Sequence, residues 1–429
     1  MESEAWFDKA IFRRDCRFTG VRFLGDALYQ NSQFLGNAWF NNVEVFKTIN
    51  FDEAHFDKDI MLAASYFRRN LSLTAAQVKT AEEIGPMIVD DMFILDQASF
   101  YSSISIRATA PRVSCTATKF LEGAIIDVTC ADVLLNRALF DKSSSVVGNA
   151  LDGAPGTTTS RLLSMYGVDA SNLALINLNL APCRFSGTHN LDKMRIEATR
   201  PFADSPAACR IRVGNRTIPL WRRWTRRQTL AEEHDWRYSN SSARTSRFAR
   251  FNRIAACPEW NPRECNFPEW ATQWVGRPPL TLAPEDLAPL YRSLRKAQED
   301  SKNEPGAADF YYGEMEMRRR SSATPLSERF ILHLYWLSSG YALRASRAVA
   351  LLLGIIILNG FLCYFIGLPG TRGSSIISST VYVVETALSL PTEQLQLSTP
   401  IRILRIMLRL TVPLLVGLTI LCVRNRIKR

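Results

Sequence analysis

The residue types that carry most protein chemistry are thin in this 429-residue chain, which holds four histidines and nine cysteines. Cys209, His234, Cys257 and Cys265 together offer the sulfur and imidazole donors of a structural zinc site. In CPEWNPREC, however, seven residues separate Cys257 from Cys265, where a zinc knuckle uses roughly two to four. Two buried thiols are the better expectation, and the nine cysteines together lack the density and spacing of a disulfide scaffold. The chain contains no GxSxG, HExxH, GxGxxG or GxxxxGK[ST] pattern. An activated serine, a zinc hydrolase, a dinucleotide site and a phosphate loop are therefore each without their usual scaffold. The expectation is a noncatalytic protein that uses no cofactor.

Charge supplies the second kind of chemistry. The net charge is +11, but residues 1–200 hold 20 Lys/Arg against 23 Asp/Glu, and residues 201–429 hold 32 against 18. From Arg210 to Arg277 there are 14 arginines and no lysine, interleaved with Trp221, Trp224, Trp236, Trp260, Trp270 and Trp274. Within it, LWRRWTRRQ places Arg222, Arg223, Arg226 and Arg227 where they could meet lipid headgroups or the phosphates of a single-stranded nucleic acid. The competing and favoured reading is a solvated basic surface whose tryptophans fix a small subdomain, since Glu232, Glu233, Asp235, Glu259, Glu264 and Glu269 lie near enough to neutralise part of it. Nearer the C-terminus, Arg402, Arg405 and Arg409 recur at helical spacing and share one face, suited to headgroup contact. Much of the basic excess flanks apolar segments, so anionic lipid is the better partner and nucleic acid the poorer one.

The elements that position these groups begin with a repeat. Large apolar residues stand at Phe7, Phe12, Phe18, Phe23, Tyr29, Phe34, Phe40, Phe46, Phe51, Phe56, Met61 and Tyr66, five or six positions apart. Neither a helix nor a simple strand has that period. Small or modest residues often precede by two positions, as at Ala10, Cys16, Ser32, Ala38, Ala54 and Ala64. The ladder returns at Phe120, Ile125, Cys130, Leu135 and Phe140, and again at Leu173, Leu178 and Cys183. Residues 71–95 and 141–165 lose the register, which predicts a distorted coil or loop there.

These units resemble the pentapeptide-repeat family over most of residues 5–190. The resemblance implies a mainly β fold, a right-handed quadrilateral β-helix in which each unit forms one side and the ladder residues stack inward. Some members of that family mimic acidic duplex DNA, but the repeat region here nets only −3 and shows no acidic stripe.

After the β-helix of residues 1–200 and the Arg/Trp-rich connector of 201–283, a helical hairpin is expected over 284–322. Its first helix opens at Pro284 with Leu287, Leu290, Tyr291, Leu294 and Ala297 on one face. NEPG at 303–306 breaks it, and a second helix runs from Ala307 to Arg320. A juxtamembrane segment, 323–347, leads to an uncharged run, Ala348 to Leu368, of 21 residues; as a helix it spans about 31 Å, enough for a bilayer core. A second span is expected over 401–423, followed by a basic tail at 424–429. Arginines flank both spans, so the positive-inside rule puts both termini in the cytoplasm and the loop 369–400 outside. In that loop 374–390 is apolar with a single charge, Glu385. It reads either as a helix on the outer surface or as the pore segment of an oligomeric channel, the former preferred.

The stretches AADFYYGEMEMRRR (307–320), YWLSSGYALRASRAVALL (335–352) and LRLTVPLLVGLTILCVRNRIKR (408–429) resemble the C-terminal portion of bacterial membrane-anchored pentapeptide-repeat proteins. That resemblance implies architecture and no activity. The expected function is a membrane-tethered scaffold that presents the β-helix to a protein partner. Its alternatives are an oligomeric channel-like effector built from several copies of the chain and a connector that binds nucleic acid. No catalytic, metal or cofactor residue is expected.

Overall fold

The computed structural model describes residues 4–150, 159–206, 209–213, 216–221, 225–242, 268, 270–271, 282–366, 376–387 and 399–427. They fall into two compact units, Met1–Tyr311 and Tyr312–Arg429.

The first unit opens with a parallel β-solenoid of about eight turns, which bears out the fold expected from the repeats. Ala5, Ala27, Ile49, Leu71 and Phe93 pair in succession, so one early coil takes 22 residues. Its four sides begin with the strands Ala5–Trp6, Ile11–Phe12, Cys16–Arg17 and Arg22–Phe23. Along the chain the inward residues are Phe7, Phe12, Phe18, Phe23, Tyr29, Phe34, Phe40, Val45, Phe51, Phe56, Leu62, Phe67, Leu73 and Val78. From Phe23 onward every one is buried, while Phe7, Phe12 and Phe18 in the first coil are half-buried. The step alternates strictly between five and six, which corrects the ladder read from sequence at three points. Phe46, Met61 and Tyr66 face outward, and their neighbours Val45, Leu62 and Phe67 fill the core.

Each five-residue step carries one residue at a corner in the left-handed region. Lys9, Gly20, Asn31, Asn42, Glu53, Ala64 and Ala75 occupy it, every eleventh position, at φ of 55 to 73°. Most L-residues visit that region at a cost, and the stack repays it with two sets of bonds. Corner amides donate to carbonyls one coil on, such as Asn31 N to Asp52 O at 2.8 Å and Glu53 N to Thr74 O at 2.8 Å. Side-chain carboxylates also accept from the next coil: Asp8 from Gln30 N at 3.0 Å, Asp26 from Thr48 N at 2.9 Å and Asp52 from Thr74 N at 3.0 Å.

Between residues 78 and 89 the coil changes form. The strand Glu83–Val89 takes over both the third and the fourth side, and the strands Ile104–Thr109, Ala124–Thr129 and Ser144–Asn149 continue it. Coils now have three sides and 20 residues, as in the pairs Phe93↔Val113↔Val133. The irregularity expected over 71–95 is corrected for 71–78, which keep the four-sided register, and the loss of it after them marks this fusion. Ile104, Ile106 and Ala108, like Ala124, Ile126 and Val128, point inward at alternate positions. The ladder expected through Ile125 and Cys130 is therefore corrected: Ile125 is 53% exposed and Cys130 ends the strand at a positive φ of 56°, whereas Phe120, Leu135 and Phe140 are core as expected. Later, Val133 pairs with Leu162, 29 positions on, and the stack resumes with Leu173–Ile176 and Arg195–Glu197. Leu173 and Leu178 are buried there.

Beyond the coils, helix α1 (Ala231–Ser242) and helix α2 (Pro284–Asp300) complete the first unit. Helix α2 packs Leu287, Tyr291 and Leu294 inward, the face expected, and lies on the turn Leu191–Lys193. Helix α3 (Glu304–Arg320) starts three residues before its expected origin. Pro305 falls in its first turn, where the missing N–H costs nothing, so NEPG opens the second helix as well as ending the first.

The second unit contains helices α4 (Leu326–Ser339), α5 (Ala345–Ile366), α6 (Ile376–Ala387) and α7 (Thr399–Ile427). Two stretches, Ala345–Phe365 and Arg402–Arg424, are long and apolar enough to cross a membrane. They run antiparallel: Ala348 near the start of α5 clusters with Cys422 near the end of α7, while Cys363 clusters with Leu408 and Val412.

Candidate interaction surfaces

Three regions gather the side chains that could meet a partner. The first is the fourth side of the solenoid. Glu44 accepts from Arg22 at 2.6 Å and from Arg68 at 3.0 Å, one coil before and one after. Those bonds, that to Arg68 foremost, hold its carboxyl below the usual carboxylate range. Arg68 also covers the outward Phe46 at 4.2 Å, and on the neighbouring third side Arg17 lies 3.5 Å over Trp39. After the fusion this side widens into strands of six or seven residues whose outer surface carries Ile88, Arg107, Thr109, Ile125, Asp127 and Thr129. Glu83 pairs with Arg107, and charges of both signs alternate with isoleucine and threonine. Such a mixture can bury apolar area and still offer hydrogen bonds, as protein interfaces do. It offers no run of cations to phosphate.

The second region closes the C-terminal end of the first unit. Arg227 donates to both oxygens of Glu233 at 2.6 Å each, and Arg237 Nε donates to Glu233 Oε1 at 2.6 Å. The Tyr291 hydroxyl also donates to Glu233 and accepts from Leu230 N at 3.0 Å. Burial alone would raise the Glu233 carboxyl, but the two guanidinium groups and Tyr291 hold it well below its ordinary value. Glu232, beside it in sequence, has the opposite fate. Its Oε1 accepts from Phe185 N at 2.5 Å and Ser186 N at 3.1 Å, and burial pushes its carboxyl up despite Arg184. Arg184 pairs with Asp235 at 2.9 Å, and His234 shares a 2.8 Å hydrogen bond with Thr229. Helix α1 is thus fastened to the last coils by its acidic first turn.

This arrangement corrects one expected contact and leaves others aside. Arg227, only 3% exposed, is engaged by Glu233 and is not available to lipid or phosphate. Arg226 is exposed, and Arg222 and Arg223 lie outside the described residues, as do Cys257 and Cys265. Of the acids expected to neutralise that segment, Glu233 pairs with Arg227 and Arg237, Asp235 pairs with Arg184 outside it, and Glu232 binds the backbone amides of Phe185 and Ser186. Sequence reading missed the ion pairing itself. Its one local signal is the i, i+4 spacing of Glu233 and Arg237, which a surface helix shares. Elsewhere in the unit burial pushes the Cys115 and Cys183 thiols up, and the half-buried Cys16 up to about 11, so they are inert core groups.

The third region is the second unit. At the foot of α5, Glu316 accepts from Arg319 at 2.8 Å, Arg320 at 2.9 Å and the Tyr341 hydroxyl at 3.4 Å. Trp336 donates its indole N–H to Tyr312 at 3.1 Å, under Arg319 at 4.5 Å and Arg347 at 5.4 Å. Arg402 and Arg409 are exposed on α7, and Arg405 on the same face is half-buried. Helix α6 lies against both candidate spans, with Val383 and Ala387 buried among Cys363, Leu408 and Val412, and Glu385 is half-buried on it. Asn359 donates to the carbonyl of Ile355 in its own helix.

Among the described residues, no group of three or more His, Cys, Asp or Glu side chains is placed to hold a metal ion. Residues 7–55 match the family model described as pentapeptide repeats, in nine copies. No curated protein and no solved structure is similar to the chain.

Proposed function

We propose that the protein is a noncatalytic scaffold, tethered by two membrane spans, that presents its solenoid to a protein partner in the cytoplasm. The observation that carries this reading is the broad outer face of the six-residue strands. Ile88 and Ile125 are 49% and 53% exposed there, among Thr109, Thr129, Arg107 and Asp127. A wide, regular, mixed surface on a stacked repeat is a docking platform of the kind solenoids offer. The antiparallel α5 and α7 bring Arg344, Arg347 and Arg424 to one end of the pair, which supports cytoplasmic termini by the positive-inside rule. Exposed Arg226 and the arginines of α7 suit anionic headgroups.

The test compares proteins that co-purify with the full-length chain, with a chain lacking residues 5–190, and with the double variant Ile88→Glu, Ile125→Glu. A partner retained by the first and lost by both others supports the platform. A partner set indifferent to all three sinks it.

A second reading rests on α6, which is seated between the two spans and not apart from them. In an oligomer it would line or plug a water path near Glu385, because two spans alone enclose none. A monomeric mass in detergent, or ion flux unchanged by Glu385→Gln, removes this reading.

A further inference from the structure

Helix α4 turns its apolar side outward. Leu326, Phe330, Ile331, Leu334 and Leu337 are 80%, 64%, 62%, 51% and 61% exposed. Their spacing of four, one, three and three places them on one broad face, where the other exposed residues are Ser327 and His333. The opposite face is engaged within its own unit. Glu328 pairs with Arg318, Leu332 and Ser339 are buried, and Trp336 is held by Tyr312 and Arg319. A helix on a water-facing surface shows the reverse pattern, and a patch of five large side chains marks a contact.

We propose that α4 lies in the membrane–water boundary with this face against lipid acyl chains, a third lipid-contacting element beside the two spans. The proposal rests on the membrane-tethered reading above. With 14 residues the helix is about 21 Å long, too short to cross a bilayer but suited to lie along one. Gly340 ends it in the left-handed region at φ 55°, and the first span starts five residues later at Ala345. Tyr335 near its end packs with Ala342, Ala345, Ala348 and Cys422, so the apolar face stands beside the base of both spans. The exposed apolar surface of α5, from Val349 through Leu353 to Ile357, continues the same kind of surface in the same unit. Arg329 on α4, with Arg347 at the start of α5, supplies cations at headgroup level.

The test is photocrosslinking of the full-length protein in vesicles of phosphatidylcholine and phosphatidylglycerol. The photoreactive residue p-benzoylphenylalanine is placed at Phe330, at Leu337, at Leu353 as the span control, and at Lys302 as the aqueous control. The expected result is a mass shift of one phospholipid at Phe330, Leu337 and Leu353, and none at Lys302. A lipid adduct at Leu353 with none at Phe330 or Leu337 overturns the proposal and leaves the membrane reading standing. A band at twice the chain mass from those two positions gives the face to a second copy and also overturns it. No lipid adduct at Leu353 defeats the membrane reading, and this proposal with it.

Discussion

The four-sided coils before residue 80 and the three-sided coils after it close one core by different means. In the first, aromatic rings stack rung on rung: Phe12, Phe34 and Phe56 lie 4.7 Å apart, and Phe7, Tyr29 and Phe51 about as close at 4.8 and 5.1 Å. In the second, alternation along six-residue strands brings Ile106, Ile126 and Val146 inward on one side, and rings remain stacked on another at 5.2 Å through Phe100, Phe120 and Phe140. Short sides need a corner every few residues and a large inward side chain on each. Long sides spread the core over more, smaller residues. The outer face widens as a result, so the change of coil creates the platform proposed above.

The two coil forms meet at a tight junction. Gly85 has φ of 100°, and a Cβ there would fall 2.0 Å from the carbonyl oxygen of Arg107. Gly85→Ala is expected to cost about 4 kcal/mol or more, read as loss of the β-sheet signal at lower denaturant. A wild-type midpoint would mean the junction is loose. Phe34→Ala, in the middle of its stack, should cost about 4 kcal/mol, and Ile126→Ala about 3 kcal/mol. Equal costs, or the reverse order, would remove the distinction between them.

Smaller effects sharpen the picture at the corners. Asp52 accepts from Thr74 N and Ser72 Oγ, and Asp96 makes the matching bonds in the later coils, to Thr116 N at 2.8 Å and Ser114 Oγ at 2.6 Å. Asp52→Ala is expected to cost about 1.5 kcal/mol. Burial pushes the Asp96 carboxyl above its ordinary value. An acid raised in the folded state contributes stability below its unfolded pKa and loses it as pH rises through the folded one. Wild type should therefore lose stability relative to Asp96→Asn as pH climbs from the acid range to neutral, as melting temperatures of the two at each pH will show. A constant difference would mean Asp96 does not titrate in this range. Ile125→Ser, finally, should change stability by less than about 0.5 kcal/mol, against the large cost at its neighbour Ile126.

The ladder of Phe12, Phe18, Phe23, Phe34, Phe51 and Phe56 was legible because a phenylalanine marks each of these steps, even beside Ile11, Leu24 and Leu35. The reading slipped where two apolar residues adjoin, at Val45-Phe46, Leu62 beside Met61, and Ile125-Ile126, since residue type does not say which of a pair turns inward. The left-handed corner in each five-residue step was hidden too, since its identities, Lys9, Glu53 and Ala75 among them, do not advertise that conformation. The two long apolar helices were legible from length and hydropathy. The burial of Arg227 was not, because its partners Glu233 and Tyr291 come together only when α1 and α2 close on the last coils. The outward apolar face of α4 was hidden as well: its composition suits a core helix, and only burial tells which side is covered.

The long coil between Val133 and Leu162 shows that the stack keeps its pairing across nine more residues than the turns before it require. For the protein engineer the chain between these two rungs is a grafting site. A reporter peptide or small domain joined between residues 150 and 159 leaves every neighbouring rung its hydrogen-bond partners, whereas a single residue added within a strand would turn one rung inside out.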